Sequence, residues 1–158
     1  MKKIFEKIIP GEVQTAVIAG MGGRTIREIL SSEPEKTKTI PFLILSPQRE
    51  EETVREWLSG NGYRITEEET VFEDGQYYPV IVASYTGLPE TLSKTEMKYG
   101  PVLLRERPET FLRMLSFRES VLKEILSGMD ENRIPPDDPD RIRVSEELRE
   151  IGTIIKAS

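Results

Sequence analysis

Two short apolar runs, each followed directly by a helical pattern, limit most strongly what this chain can fold into. The runs are TAVIA, from Thr15 to Ala19, and PFLIL at residues 41–45, and neither shows polar alternation. Continuous apolar runs are typical of strands that are buried on both faces of a parallel sheet. Because parallel neighbours need a crossover connection, which is usually a helix, this order predicts an α/β sheet.

The helices after the two runs are predicted by apolar residues spaced i, i+3 and i+4. These residues are Ile26, Ile29 and Leu30 in the first helix and Val54, Trp57 and Leu58 in the second. Residues 63–85 instead alternate in polarity around Asp74 and Gly75, a pair that is typical of hairpin turns. We therefore expect the sheet to close with an antiparallel hairpin.

The remainder of the chain is predicted to be helical. Residues 108–126 and 140–156 each carry an apolar stripe, and the connector between them contains the run PPDDP at 135–139. Two helices joined by a short loop predict an antiparallel helical hairpin. We therefore divide the chain into an α/β domain at residues 1–86 and a helical, coiled-coil-like domain at residues 87–158.

The composition excludes several kinds of site. The chain has no histidine and no cysteine, so it offers neither a histidine-dependent triad nor a histidine or cysteine metal site. The acidic runs at 50–52 and 67–69 are interpreted as solvated faces, and no metal site is predicted. The formal net charge of -6 argues against strong RNA binding by this chain alone. With neither a membrane-length apolar run nor a signal-peptide pattern, we expect a cytoplasmic protein without a membrane partner.

Four residues after the first run form the candidate ligand loop: Gly20, Met21, Gly22 and Gly23. The loop joins a strand to a helix, where open α/β sheets bind their ligands. Glycines allow a ligand to approach the backbone closely, and a helix N-terminus offers free N–H groups. A tight strand–helix turn explains the same glycines, and the pattern alone does not separate the two interpretations.

Ser46, Pro47 and Gln48 occupy the equivalent position after the second run. Ser46 followed by Pro47 is typical of a helix N-cap with proline at the first helical position. The side chain of Gln48 is able to hydrogen-bond the edge of a nucleic-acid base. A helix cap with a solvated glutamine is the simpler interpretation, and both remain open.

Several segments, in order along the chain, resemble the TrmK family. AVIAGMGG at 16–23 is similar to the family motif IAGMGG, and FLILSPQ at 42–48 is similar to LILQPN. VREWL at 54–58, followed by GY at 62–63, resembles LREWL…GY. The hairpin at 68–83, which contains Tyr78, resembles EDGKxYEVLVA, and YGP at 99–101 followed by FL at 111–112 resembles GP…FL.

The resemblance implies a fold and an activity. Family members are S-adenosylmethionine-dependent enzymes that methylate N1 of an adenine in the D-arm of tRNA. Their sheet has the order 3-2-1-4-5-7-6, so this chain is expected to form a partial Rossmann-like methyltransferase sheet of strands 4, 5, 7 and 6, followed by the helical hairpin. Residues 20–23 are implied to bind the cofactor, and Ser46, Pro47, Gln48 and Tyr78 to lie on the substrate side.

Only the C-terminal portion of the family pattern is found. The glycine-rich DIGSDHAYLP-type motif, the acidic ribose-binding residue and the GDGL segment have no counterpart here. The resemblance therefore implies a C-terminal half that binds S-adenosylmethionine weakly or not at all and is inactive alone. It assigns no catalytic residue, because the family's candidates lie in the portion that is not found. The alternative is a non-catalytic RNA- or protein-binding remnant.

The implied partners are tRNA and a second polypeptide. In the full family sheet the strand from Thr15 to Ala19 is central and paired on both sides. Without the first half, one edge of this strand would be unpaired and prone to association. We expect either a homodimer that pairs this edge across a two-fold axis or a separate N-terminal half that covers it.

Overall fold

The computed structural model describes residues 5–157, which form two compact units. The first unit extends to Arg107 and the second begins at Pro108. The helical domain was expected to begin at residue 87, but two short helices after that position belong to the first unit. The reason is a buried ion pair, described below, that ties these helices to the sheet.

The first unit contains a four-stranded mixed sheet of order β1-β2-β4-β3. Its strands are β1 (Thr15–Met21), β2 (Phe42–Pro47), β3 (Tyr63–Glu73) and β4 (Gln76–Tyr85). β1 and β2 are parallel, whereas β4 is antiparallel to both β2 and β3. The predicted α/β class is confirmed.

Five helices accompany the sheet in the first unit. They are α1 (Gly23–Ser32), α2 (Pro34–Thr37), α3 (Glu51–Gly60), α4 (Lys94–Tyr99) and α5 (Pro101–Glu106). The apolar residues that predicted α1 and α3 are buried, apart from the half-buried Trp57. They form one core with residues from a single face of the sheet, namely Ile18, Leu43, Leu45, Ile81 and Ala83.

On the opposite face of the sheet, two large apolar side chains are exposed within the described residues 5–157. Val17 is 68% exposed and Phe42 is 48% exposed, although their neighbours Ile18 and Leu43 are buried. The expectation that both apolar runs are buried on both faces is therefore wrong for this chain. The side chains of α1 and α3 pack on one face only, and residues 5–157 leave Val17 and Phe42 on the other face accessible to solvent.

Arg55 of α3 and Glu68 of β3 form a buried ion pair. Their side chains are 1% and 0% exposed, and Arg55 Nε donates to Glu68 Oε2 over 2.8 Å. The guanidinium group also donates to the carbonyls of Met97 and Lys98, both at 3.0 Å. The amide of Val102 donates to Glu68 Oε1 over 2.9 Å. The pair therefore links α3, β3, the end of α4 and the start of α5.

Glu68 reaches the buried face because β3 contains an irregularity. Its register against β4 shifts between Ile65 and Glu67, which leaves Thr66 as an extra residue. An extra residue reverses the inside–outside alternation beyond it. The run 67–69 is therefore not a wholly solvated face: Glu67 and Glu69 are exposed, but Glu68 is buried.

Tyr63, the first residue of β3, fixes the chain between α2 and β2. Its hydroxyl lies 2.6 Å from the carbonyl oxygen of Thr37 and 2.8 Å from that of Ile40. The side chain is buried, and this burial raises the pKa of Tyr63 well above its usual range. The neutral hydroxyl is thus retained as a donor to the backbone.

The second unit contains α6 (Glu109–Glu131) and α7 (Pro139–Lys156). Arg118 of α6 donates to both carboxylate oxygens of Glu147 of α7, at 3.2 and 3.0 Å. Arg141 pairs with Asp130 and donates to the carbonyl of Ile134 over 2.8 Å. Between residues 5 and 157, no helix combines the length and the apolar character that a membrane crossing requires.

Candidate functional site

The two candidate loops lie side by side at the carboxyl ends of β1 and β2. The amide of Gln48 donates to the carbonyl of Met21 over 3.0 Å. The amide of Gly23 donates to the carbonyl of Arg49 over 2.8 Å. These two bonds lie at and just after the last strand pair, Met21 with Pro47. Residues 20–23 and 46–48 therefore form one continuous surface.

The glycines of the first loop have different structural causes. A Cβ on Gly23 would lie 2.1 Å from the carbonyl oxygen of Glu50, so only glycine fits against the second loop. A Cβ on Gly22 would lie 3.3 Å from side-chain atoms of Arg49 and Glu50. Gly20 has φ +79°, and a Cβ there would meet no atom within 4 Å. Packing thus explains Gly23, whereas the space beside Gly20 remains open for a ligand.

The second loop differs from the helix cap suggested by its sequence. Ser46 Oγ donates to the carbonyl of Pro79 over 2.9 Å and so joins β2 to β4. Helix α3 begins only at Glu51, so Ser46 and Pro47 do not cap it. Pro47 is buried and Gln48 is exposed. Of these three residues only Gln48 is exposed, and Ser46 is half-buried.

Tyr78 lies in the part of the β3–β4 hairpin that extends past β2. The pairing of β4 with β2 ends at Ile81, and Ser46 contacts Pro79, the residue next to Tyr78. Tyr78 is half-buried, and its hydroxyl donates to Gln76 Oε1 over 2.7 Å. Tyr78 therefore lies at the same end of the sheet as Ser46 and the two loops.

Three charged residues at this end of the sheet were not identified from the sequence as part of the site. The carboxylate of Glu50 lies 3.6 Å from the guanidinium group of Arg24 and 3.9 Å from that of Arg49. Both arginines are exposed, at 70% and 79%. Glu50 has φ 58°, a left-handed conformation that is uncommon outside glycine, and this arrangement has no clear signal in the sequence.

The site offers hydrogen-bonding groups rather than reactive side chains. The loop residues supply backbone groups, the Gln48 amide and Arg49, and α1 supplies Arg24. Among residues 5–157, no cluster of three or more acidic, histidine or cysteine side chains is arranged to hold a metal ion. Such an arrangement suits the orientation of bound reactants, which accelerates a transfer without a protein nucleophile.

A comparison with protein families matches residues 3–149 to the TrmK model, described as tRNA (adenine(22)-N(1))-methyltransferase. The chain belongs to this family. The resemblance found in the sequence motifs is thereby confirmed. The chain is thus related to proteins that are described as tRNA methyltransferases.

Individual relatives agree with the family match. The tRNA (adenine(22)-N(1))-methyltransferase of Bacillus subtilis is 32% identical over an alignment of 137 residues, and the match covers 80% of this chain and 56% of the relative. A structure of an uncharacterized protein from Listeria monocytogenes serotype 4b matches with TM-score 0.82 and 29% identity, over 90% of this chain and 63% of that one.

A third relative was solved with a bound cofactor. Streptococcus pneumoniae Sp1610, described as a candidate tRNA (m1A22) methyltransferase in complex with S-adenosyl-L-methionine, matches with TM-score 0.76 and 26% identity. The match covers 91% of this chain and 61% of that one. The chain thus spans between half and two thirds of the length of these relatives.

Proposed function

We propose that this chain supplies the substrate-side loops of an S-adenosylmethionine-dependent tRNA adenine-N1 methyltransferase. The observation that carries the proposal is the joined pair of loops at the carboxyl ends of two parallel strands. The amides of Gln48 and Gly23 donate hydrogen bonds from one loop to the other. A Cβ on Gly20 would meet no atom within 4 Å, so the backbone there is open to a ligand. Ligands of open α/β sheets bind at this position.

The correspondence of the strands to the family sheet is part of the proposal. β1, β2, β4 and β3 would be strands 4, 5, 7 and 6 of the seven-stranded order. The observed order β1-β2-β4-β3, with a parallel first pair and β4 antiparallel to its neighbours, supports this assignment. α6 and α7 would be the C-terminal helical hairpin, and the Arg118–Glu147 contact between them supports it.

The loops would act by positioning. S-adenosylmethionine, when bound, supplies an electrophilic methyl group. The backbone of Gly20 and Met21 would lie beside the cofactor, since no side chain fills the space at Gly20. Gln48, which is exposed, would hydrogen-bond the edge of the target adenine, and Tyr78 would contact the nucleotide from the neighbouring hairpin. The second loop would hold Gly23 in place through the hydrogen bond from its amide to the carbonyl of Arg49.

Cofactor binding by this chain alone is proposed to be weak. The matched relatives are longer, and this chain covers 61% of the Streptococcus pneumoniae protein that was solved with S-adenosyl-L-methionine. A second candidate function is a non-catalytic RNA- or protein-binding module. The strongly exposed Val17 and Phe42 favour contact with a protein.

A chimera tests the proposed function. This chain would replace the aligned part of the Bacillus subtilis relative, and methylation at N1 of adenine in tRNA would be measured with labelled cofactor. We expect activity, and we expect Gly20→Ala to lower it by about tenfold or more through misplacement of the loop. Gly128→Ala, in the open middle of α6, is the matched control and should leave the activity unchanged.

Two results from the chimera would contradict the proposal. A chimera that folds and binds S-adenosylmethionine but transfers no methyl group would show that these loops do not serve the reaction. An equal loss of activity in Gly20→Ala and Gly128→Ala would remove the role assigned to Gly20.

A further inference from the structure

Two exposed arginines lie beside the candidate loops and share one carboxylate. Arg24 belongs to α1, and Arg49 directly follows Gln48 in the second loop. Their guanidinium groups lie 3.6 and 3.9 Å from the carboxylate of Glu50, and their side chains are 70% and 79% exposed. We call Arg24 and Arg49 the arginine pair. Two guanidinium charges against one carboxylate leave a net positive charge here, although the whole chain carries -6.

The backbone of the second loop fixes the position of Arg49. The amide of Gly23 donates to the carbonyl of Arg49 over 2.8 Å. Glu50, the next residue, turns the chain in a left-handed conformation with φ 58°. A Cβ on Gly22 would lie 3.3 Å from Nε of Arg49 and 3.3 Å from a carboxylate oxygen of Glu50. The guanidinium group of Arg49 therefore lies beside the glycines of the first loop.

The ion pairs with Glu50 leave the donors of the arginine pair available. Both separations are longer than the upper limit of about 3.2 Å that is typical of N–H···O hydrogen bonds. Within residues 5–157, the side chains of Arg24 and Arg49 make no hydrogen bond to another protein group. By contrast, the guanidinium group of Arg113 on α6 donates to Glu109 over 2.6 Å. The arginine pair thus has unused donors that suit an anion with several oxygens.

A phosphate group matches the chemistry of the arginine pair. Planar guanidinium groups donate parallel hydrogen bonds to phosphate oxygens, and they stay charged at physiological pH. The neighbouring Gln48 is proposed to contact the target adenine, which in RNA is attached to a sugar and a phosphate. Because Gln48 and Arg49 are adjacent in the second loop, a nucleotide bound at Gln48 would bring its phosphate close to the arginine pair.

We propose that Arg24 and Arg49 bind a backbone phosphate of the RNA substrate, at or next to the target nucleotide, and thereby position its base at the two loops. Glu50 keeps the two guanidinium groups close together. The identity of the substrate rests on the proposed function, whereas the arginine pair itself rests on charge, exposure and distance. The arginines take no part in bond making; they orient the substrate.

Titration of this chain with adenosine monophosphate tests the proposal, and adenosine is the matched ligand without the phosphate. At constant ionic strength, NMR would follow the backbone amide of Gln48 and the Nε–H groups of Arg24 and Arg49 up to millimolar ligand. The monophosphate should shift the arginine signals and bind about tenfold more tightly than adenosine, because charged hydrogen bonds to the phosphate are added. Arginine signals that do not move with the monophosphate would overturn the proposal.

Substitutions separate a phosphate contact from support of the loop. Arg49→Gln and Arg24→Gln should each lower the affinity for adenosine monophosphate by about tenfold and leave the affinity for adenosine unchanged. Arg49→Lys keeps the charge but not the parallel donors, so it should lose less than Arg49→Gln. Arg113→Gln is the matched control, since Arg113 is an equally exposed arginine on α6. Equal losses for adenosine and its monophosphate would show that the arginines only support the loop, and would overturn the assignment.

Inorganic phosphate distinguishes a nucleotide site from a general anion site. It should shift the same arginine signals only at higher concentration, because it has no base to contact Gln48. Inorganic phosphate that binds as tightly as adenosine monophosphate would overturn the assignment to a nucleotide.

None of these titrations depends on methyl transfer. An inactive chimera, together with a chain that prefers the monophosphate through Arg24 and Arg49, would count against the proposed function only. An active chimera, together with a chain that shows no preference for the monophosphate, would count against the arginine pair only.

Discussion

The glycines of the first loop differ at the level of single atoms, and their substitutions should differ accordingly. Gly23→Ala would place a Cβ against a backbone oxygen of the second loop, which is 2.1 Å away. Because a backbone atom yields less easily than a side chain, we expect a loss of about 3 kcal/mol in the free energy of unfolding, measured in urea. Gly128→Ala, in open helical space, should instead raise it by about 0.5–1 kcal/mol. A Gly23→Ala variant as stable as the parent chain would show that the loops separate readily.

At the residue scale, the sequence predicts the positions of the two loops better than the contacts that each residue makes. The sequence alone identifies the segment from Gly20 to Gly23, because glycines that follow an apolar run form a local pattern. The helix-cap interpretation of Ser46 is wrong, and the sequence does not reveal its actual partner, the carbonyl of Pro79, because that contact depends on the position of β4 beside β2. Glu50 adopts its left-handed conformation next to a glycine 27 positions earlier in the chain, a contact that no local pattern encodes.

The ion pair of Arg55 and Glu68 determines how the helices after the hairpin attach to the sheet. Arg55→Met should lower the free energy of unfolding by about 3–5 kcal/mol, because it leaves a buried carboxylate without its partner. The double variant Arg55→Met/Glu68→Leu should recover a large part of that loss, since it removes both buried charges. Urea unfolding followed by circular dichroism measures both variants. If the double variant were no more stable than the single one, the ion pair itself would not be the cause.

A matched exposed pair tests whether burial gives this contact its strength. Arg113 and Glu109 form an ion pair on the surface of α6, with both side chains at least 70% exposed. Arg113→Met should cost less than about 1 kcal/mol, because water screens exposed pairs. Similar losses for the two arginine variants would contradict the effect of burial.

At the element scale, periodicity predicted the α/β order but not the attachment of α4 and α5. Arg55 falls between the apolar positions of α3, and Glu68 stands inside an acidic run, so each looked solvated. One extra residue in β3, Thr66, turns Glu68 inward. A Cβ on Gly100 would lie 2.6 Å from its carboxylate, which explains the glycine between α4 and α5. These features depend on strand register, and register is not visible in a single segment.

At the scale of the whole molecule, the excess of acidic side chains disfavours RNA binding by this chain alone. It has 22 basic and 28 acidic side chains. In the second unit several basic groups already pair with carboxylates: Arg113 with Glu109, Arg118 with Glu147, Lys123 with Glu119 and Arg143 with Asp140. Phosphate binding there would have to compete with carboxylates held within the same helices.

We therefore expect this chain alone to bind tRNA only at the level of non-specific contacts, with Kd no tighter than about 10⁻⁶ M at physiological salt. Fluorescence anisotropy with labelled tRNA, repeated over a range of salt concentrations, measures the affinity. The triple variant Glu109→Gln/Glu119→Gln/Glu147→Gln frees three basic side chains and should bind more tightly at low salt. Nanomolar binding by the parent chain, unchanged in the triple variant, would instead favour the non-catalytic RNA-binding module, because the affinity would then come from a surface that these carboxylates do not mask.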